Sequence, residues 1–324
     1  MVPSYNHYES RRLVDTSIED KTGKLKLDLP TISSNMDTVT ESPMANFMSS
    51  KGGMGAIHRF CSIEKNIEEF KKCTGKVFVS VGCSDKELER TQALKDAGAE
   101  YYILDVAHAH AKYIGKTIKR IRDIVGNNGC IMAGNVATYA GADYLASVGA
   151  DMIKVGIGGG SVCSTRVKTG FGVPTLSSVK ECARVDRSIV ADGGMRTPGD
   201  IVKALAFGAD FVMLGGIFSG SSITPGEAFE KNGEKFKHYR GMASREAQED
   251  FVGVMNDWKT AEGVSVEVKY HENHEAIVAD IIGGLRSGLT YGGAATIREL
   301  QRKLNYVFIT PAGRTESIPH KTLW

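Results

Sequence analysis

The sequence predicts an α/β protein with the (β/α)8, or TIM, barrel fold, on three observations. Short apolar segments near residues 31, 55, 77, 101, 131, 152, 188 and 211 alternate with stretches of helical periodicity. These units span roughly 250 residues, the usual size of such a barrel. Polar or glycine-rich residues follow almost every strand. An open, doubly wound sheet is the alternative, but it would concentrate such residues at one pair of strands.

The first part of the chain gives the following elements. Residues 1–29 are polar and mixed, and predict an irregular arm. After a strand at 31–36, Thr40 is the expected N-cap of a helix that tolerates Pro43 in its first turn. Residues 52–58 predict the end of that helix and then a strand. The next predicted elements are a helix capped by Ser62 and ending near Lys72, a strand at 77–81 and a helix at 85–97.

The later elements repeat a pattern and then depart from it. A Gly-Ala-acid tripeptide begins at Gly98, Gly149 and Gly208, each time ending a helix before an apolar strand. The loop 156–174 is long. Residues 217–274 are charged and show no clear sheet pattern, as expected for a functional lid or a disordered segment. Helices are predicted again at about 274–286 and 294–304.

The composition limits the class of protein. The 324 residues are 42% hydrophobic and 24% charged, with a net charge of +2, so bulk charge indicates neither nucleic-acid nor membrane binding. No apolar run approaches the ~20 residues that cross a bilayer, and the first residues lack a signal pattern. The six cysteines show no CxxC pair or framework spacing, which indicates free thiols in the cytoplasm.

The strongest functional signal lies in residues 154–169. Four glycines occupy 156–160 directly after an apolar strand, and Cys163 follows three residues later. Such a loop presents backbone N–H groups to an anion or carbonyls to a cation, and Ser161 adds a hydroxyl. Cationic side chains follow the thiol, so we expect it to be nucleophilic. A flexible surface loop with an incidental cysteine is the alternative, which the position after a strand disfavours.

Other polar groups are expected at the same end of the barrel, where the carboxyl ends of the strands meet. Two glycine pairs after the last two strands, Gly193–Gly194 and Gly215–Gly216, favour a phosphate site over two structural turns. Asp192 precedes the first pair and could accept from sugar hydroxyls. The strand ends also present Asn35, Met36, Asp37, His58, Asp105 and Asn135.

Two histidine-containing stretches are weaker signals. His108 and His110 alternate without carboxylate or thiolate partners, so metal ligation is disfavoured. For the stretch KYHENHE at 269–275, a solvated turn is favoured over a metal site.

Six segments resemble the GMP reductase and IMP dehydrogenase family along nearly the whole chain. They are SSNMDTVTE (33–41), GGMGAIHRF (52–60), IMAGNVAT (131–138), KVGIGGGSVCSTRVKTGFGVP (154–174), ADGGMRTPGDIVKALAFGADFVMLGG (191–216) and YRGMAS (239–244). The resemblance implies one TIM-barrel catalytic domain over 1–324, a homotetramer, and a cysteine that bonds covalently to purine C2.

Finer features favour the reductases within this family. The short stretch 62–77 leaves no room for the regulatory CBS insert that dehydrogenases usually carry. The active-site flap, expected at about 244–270, lacks their Arg-Tyr pair. WKTAEGVSVEV (258–268) resembles the reductase pattern, with Glu262 where most dehydrogenases have Gln, and GGLRSGLTYGGAA (283–295) and DVAHAHA (105–111) also look like reductases. Gly159 and Arg59 depart from the common Pro and Lys.

The resemblance also implies roles for particular residues. Catalysis would fall to Cys163, Thr165 and Glu262. Substrate would be bound by Ser161, Asp192, Gly193, Gly194, Gly215, Gly216, Gly241, Met242, Ala243, Lys259 and Gly263. The dinucleotide would contact Arg59, Asp105, Val106, Ala107, Ile157, Gly158, Ser287 and Thr290, and a monovalent cation such as K⁺ would be held at Gly158, Gly160, Cys163 and Arg166.

Three functions follow as hypotheses. The first is reductive deamination of GMP by NADPH to IMP and ammonia, in purine salvage. The second is IMP dehydrogenation, which shares the covalent chemistry but uses NAD⁺ and water. The third is a purine-nucleotide binding protein without turnover, which the complete set of Cys163, Thr165 and Glu262 disfavours.

Overall fold

The computed structural model describes residues 1–253, 258 and 260–319. Its strands are β1 (Ile18–Glu19), β2 (Lys26–Leu27), β3 (Thr31–Ser33), β4 (Met54–Ile57), β5 (Val77–Val81), β6 (Tyr101–Asp105), β7 (Cys130–Val136), β8 (Met152–Val155), β9 (Ser188–Asp192), β10 (Phe211–Leu214), β11 (Phe229–Lys231), β12 (Glu234–Arg240) and β13 (Ser265–Lys269). Its α-helices are α1 (Ser42–Ser50), α2 (Ile63–Lys71), α3 (Asp85–Asp96), α4 (Lys112–Val125), α5 (Tyr139–Ser147), α6 (Thr165–Thr169), α7 (Thr175–Cys182), α8 (Pro198–Ala206), α9 (Arg245–Val252), α10 (His274–Tyr291), α11 (Ile297–Lys303) and α12 (Pro311–Glu316).

Strands β3 to β10 form a closed parallel barrel in chain order, with β10 pairing with β3. All eight predicted strands are present, so the predicted TIM barrel is confirmed. Strands such as Val77–Val81 are buried at every position because helices cover the outside and side chains fill the inside. This burial explains why they read as continuous apolar runs.

The helix starts agree with the sequence in one case and differ in another. The Ser62 hydroxyl accepts from the Lys65 N–H and caps α2, as predicted. The prediction for Thr40 was wrong, since Glu41 occupies the N-cap of α1. The Thr40 hydroxyl instead donates to Ser34 O at 2.7 Å, which fastens the loop after β3.

The segment 217–274 differs from the sequence-based expectation. It contains a three-stranded antiparallel sheet in the order β11-β12-β13. In β12 the buried positions are Lys237 and Tyr239. The Lys237 amine donates to Ser221 O and Thr224 O, so this charged residue occupies an inward position. The strand therefore lacks the alternation of apolar and polar residues by which a strand is predicted from sequence.

The N-terminal arm is also more ordered than predicted. It holds a 3-10 turn at Arg11–Leu13 and a β1–β2 hairpin. In that hairpin, the buried Asp20 carboxylate accepts from the Leu25 N–H. None of the described helices is long and apolar enough to cross a membrane.

Candidate active site

A cavity of about 650 Å³ opens at the carboxyl ends of the barrel strands. This volume lies in the range of roughly 300–1,000 Å³ that is usual for small-molecule sites. Most of the residues singled out from sequence line it: Arg59, Asp105, Val106, Ala107, Ile157, Gly158, Gly160, Ser161, Cys163, Thr165, Asp192, Gly193, Gly194, Gly215, Gly216, Gly241, Met242, Ala243, Glu262 and Gly263. The fold therefore brings together residues from loops that are far apart in sequence.

Three of the predicted residues that the structure describes do not line this cavity. Ser287 and Thr290 lie on α10, which packs against α8 in the outer layer, and the Thr290 hydroxyl donates to Ser287 O. Arg166 turns away to donate to Val173 O at 2.8 Å. Lys259 lies outside the described residues.

The glycines after β8 allow two barrel loops to touch through their backbones. A Cβ at Gly156, where φ is 149°, would lie 2.0 Å from Asp192 O. A Cβ at Gly193, where φ is 85°, would lie 2.9 Å from Gly160 N. Any side chain at these two positions would push the loops apart, so glycine is required there for the cysteine loop to reach its position.

The cysteine lies on this loop with its sulfur exposed to the cavity. Cys163 Sγ is 3.1 Å from Thr165 Oγ1, and Thr165 begins the short helix α6. The two residues therefore present a thiol and a hydroxyl to the same part of the cavity.

The flap segment is joined to the cysteine loop by backbone pairing. Cys163 and Gly263 form an antiparallel bridge, in which Val264 N donates to Val162 O and Ser164 N donates to Glu262 O. This pairing places the Glu262 carboxyl group in the cavity wall. Among the described residues, no hydrogen bond joins the Glu262 carboxyl group to the Thr165 hydroxyl.

A second part of the cavity is suited to an anion. The Ser161 hydroxyl lies 3.0 Å from the Tyr239 hydroxyl. Within the described part of the chain, no acceptor is found for the N–H groups of Ser161, Gly194 and Gly216. Free N–H groups and hydroxyls that converge in this way are suited to bind a phosphate. Sequence reasoning missed Tyr239, although it begins the segment YRGMAS.

Two carboxylates and a lysine form the floor of the cavity. Lys154 Nζ lies 2.9 Å from Asp105 Oδ1 and 2.9 Å from Asp192 Oδ2. Asn135 Nδ2 donates to Asp192 Oδ2 at 2.9 Å, so the other oxygen of Asp192 is left for a ligand. Sequence reasoning did not assign Lys154 a role; the signal was a lysine within an otherwise apolar strand.

The histidine stretches form no metal cluster. No group of three or more His, Cys, Asp or Glu side chains suited to a metal occurs among the residues described. His271 Nε2 lies 3.1 Å from Ser219 O, and His274 Nδ1 lies 3.3 Å from Ser221 Oγ. Both rings therefore fasten the loop after β10.

A closed parallel barrel with a polar cavity at the carboxyl ends of its strands defines a class of protein, the TIM-barrel enzymes, whose active sites lie at that end. Within this class the chain belongs to the IMP dehydrogenase / GMP reductase domain family, whose model matches residues 1–320. It is therefore an oxidoreductase-family protein, and the resemblance found in the sequence is confirmed.

Individual relatives carry both family names. The chain is 40% identical over 296 residues to mouse GMP reductase 1, covering 89% of this chain and 86% of that one. A solved structure described as inosine 5′-monophosphate dehydrogenase from Legionella pneumophila is 70% identical, with a TM-score of 0.89 and 97% of each chain covered. A GMP reductase variant from Trypanosoma brucei in complex with guanosine 5′-monophosphate is 28% identical, with a TM-score of 0.92, covering 99% of this chain and 96% of that one.

Proposed function

We propose that this protein is a GMP reductase that catalyses GMP + NADPH + H⁺ → IMP + NADP⁺ + NH₃. The observation that carries the proposal is the pairing of Glu262 with the cysteine loop, because it gathers a thiol, a hydroxyl and a carboxyl group in one cavity. The relatives named GMP reductase and the GMP-bound structural neighbour support the same activity.

In the proposed mechanism, the Cys163 thiolate adds to C2 of the purine. The exocyclic amine leaves as ammonia once it has been protonated, and Thr165 with Glu262 would relay that proton. Proton transfer of this kind typically contributes ~10²–10⁴ in rate. The product of this step is a thioimidate between Cys163 and C2. C2 would then be reduced by a hydride, which a reduced nicotinamide would supply when bound, and the Cys163 thiolate would leave.

The rest of the nucleotide would be held by the parts of the cavity already described. Its phosphate would bind at Ser161, Gly193–Gly194 and Gly215–Gly216, and its ribose at Asp192. The purine edge would meet the backbone of residues 241–243 and Gly263, with Lys259 as a further predicted contact.

The remaining wall fits a dinucleotide. Arg59 lines it with a buried Nε that has no hydrogen-bond partner among the described residues, and Asp105, Val106 and Ala107 lie in the same wall. Arg59 Nε would therefore gain an acceptor from a bound ligand. Ser287 and Thr290 do not reach this wall, so a contact between them and the dinucleotide stays a prediction.

A monovalent cation fits part of its predicted site. In the described chain, the carbonyls of Gly158 and Cys163 accept no backbone hydrogen bond, so both are free to ligate. The Gly160 carbonyl accepts from Cys163 N at 3.2 Å. Arg166 fits least well, because its side chain is a cation and its carbonyl accepts from Gly170 N.

The proposal extends to the protein as a whole. Only α2 and short turns join β4 to β5, which supports a single catalytic domain without a regulatory insert. The homotetramer, the cytoplasmic location and the role in purine salvage stay predictions.

IMP dehydrogenation with NAD⁺ is the second candidate, favoured by the name of the 70% identical Legionella structure. Absorbance of the reduced nicotinamide separates the two activities. With GMP and NADPH we expect the absorbance to fall and ammonia to appear in equal amount. With IMP and NAD⁺ we expect no rise. A rise with IMP and NAD⁺ but no change with GMP and NADPH would contradict the proposal and establish the dehydrogenase. No turnover in either direction would indicate a binding protein.

A further inference from the structure

A buried lysine joins two carboxylates that belong to strands on different sides of the cavity floor. Lys154 lies on β8, Asp105 ends β6 and Asp192 ends β9. The Lys154 side chain is only 3% exposed, and its amine is 2.9 Å from an oxygen of each carboxylate. One amine therefore connects two groups that the proposed function gives to different ligands.

The barrel is built to let this lysine reach both carboxylates. In the register of the strands, Asp105 pairs with Gly134, and Gly134 pairs with Lys154. A Cβ at Gly134 would lie 2.5 Å from the Lys154 Cβ and 2.6 Å from its carbonyl oxygen. A side chain on β7 would therefore displace the lysine, and the glycine leaves its path toward Asp105 open.

The charges in this group depend on one another. Burial would raise the pKa of Asp105, but the Lys154 amine facing it holds that pKa below its usual value. Burial would likewise lower the pKa of Lys154, but the two carboxylates raise it. Without the lysine, two partly buried carboxylates would be left without their shared counter-ion.

The lysine also fixes which oxygens remain for ligands. Asp192 Oδ2 accepts from both Lys154 and Asn135, whereas Asp192 Oδ1 has no partner in the described part of the chain. Asp105 Oδ1 accepts from Lys154. Asp192 is thus held by one edge, whereas Asp105 is held by Lys154 and by a side-chain hydrogen bond with Asn35.

We propose that Lys154 is a positioning residue for both ligands, orienting Asp192 toward the sugar of the nucleotide and Asp105 toward the dinucleotide. The proposal rests on the proposed function for the identity of these ligands. Because the amine is buried beneath the two carboxylates, it acts through them rather than on the reacting atoms.

The test compares Lys154→Met with Lys237→Met in the full chain. Lys237 is a matched control, since it is also 3% exposed and buried but its amine donates to two carbonyls away from the cavity lining. Calorimetric titration with GMP alone, without dinucleotide, measures the affinity of each variant for GMP. We expect Lys154→Met to weaken GMP binding about tenfold or more, as for a lost hydrogen bond to a charged group. Lys237→Met should bind GMP about as tightly as the parent protein, because Lys237 and its partners Ser221 and Thr224 do not line the cavity.

Steady-state kinetics report on the binding of GMP and of the dinucleotide in one experiment. The KM values for GMP and for NADPH should both rise in Lys154→Met, since each carboxylate loses the same anchor. Affinities of Lys154→Met for both ligands equal to those of the parent would overturn the inference.

A second variant keeps the inference testable if Lys154→Met does not fold. Lys154→Met combined with Asp105→Asn restores the net charge of the group, yet Asp192 still lacks the Lys154 amine and keeps only the hydrogen bond from Asn135. We expect its GMP binding to stay several-fold weaker than that of the parent. Full recovery would show that only charge balance mattered and would refute positioning. A parent protein that fails to bind GMP would instead refute the proposed function.

Discussion

The two walls of the cavity are built in different ways. On the barrel side, the cysteine loop and the loop after β9 touch through their backbones, at Gly156 and Gly193. On the flap side, the 217–274 segment reaches the cavity through its own antiparallel sheet and joins the cysteine loop through the bridge between Cys163 and Gly263. The nucleophile, Cys163, therefore belongs to the barrel wall, and the acid, Glu262, belongs to the flap wall, so their contributions can be separated by mutation.

Loss of the nucleophile should have the largest effect. In Cys163→Ala we expect turnover to fall by about 10⁴-fold or more, the scale on which removal of a nucleophile acts. GMP binding should persist, because the phosphate and sugar contacts lie elsewhere in the cavity. Stopped-flow absorbance and calorimetric titration with GMP measure the two quantities. Equal turnover of variant and parent would rule out covalent catalysis.

Loss of the acid on the flap wall should have the next largest effect. Glu262→Gln keeps the size of the side chain and leaves the backbone pairing with Ser164 unchanged. We expect deamination to slow by about 10²–10³-fold, within the usual range for general acid–base groups, with little change in GMP affinity.

Ammonia release in a single turnover measures this step directly. An unchanged rate would remove Glu262 from the proton relay. A large loss of GMP affinity would instead show that the flap wall binds the base rather than moves a proton.

The barrel wall could be predicted from sequence because its determinants are local. Apolar strands, glycine pairs and the cysteine loop each leave a pattern within a few residues, and the closed barrel then fixes where they meet. The positions of Asp192 and of Gly193–Gly194 followed from this logic alone. The roles of Thr165 and Glu262 came from the family resemblance, since an acid in a loop has no pattern of its own.

The flap wall could not be predicted in the same way, because its determinants are long-range. Lys237 occupies an inward position of β12, where it binds carbonyls of the loop after β10, so the strand shows no apolar alternation. Lys154 was passed over for a similar reason, since its partners Asp105 and Asp192 are 49 and 38 residues away in the chain. Ion pairs of this kind appear only once the strands are in register.

Weakening of the attachment between flap and barrel should have the smallest effect. Arg240, at the end of β12, binds Asp37 in the loop after β3 and Asp250 in α9, with 2.6 Å from Nη1 to Asp250 Oδ2. Asp250 is 67% exposed, so its ion pair contributes at most about 1 kcal/mol. Asp250→Asn should therefore raise the KM for GMP by only about twofold to threefold, with kcat unchanged.

Glu249→Gln is the matched control, because Glu249 pairs with Arg245 within the same helix and not with the barrel. The KM increase should shrink at high salt, where the pair is already screened in the parent protein. If the two variants gave the same KM, the Arg240–Asp250 pair would have no part in holding α9 over the cavity.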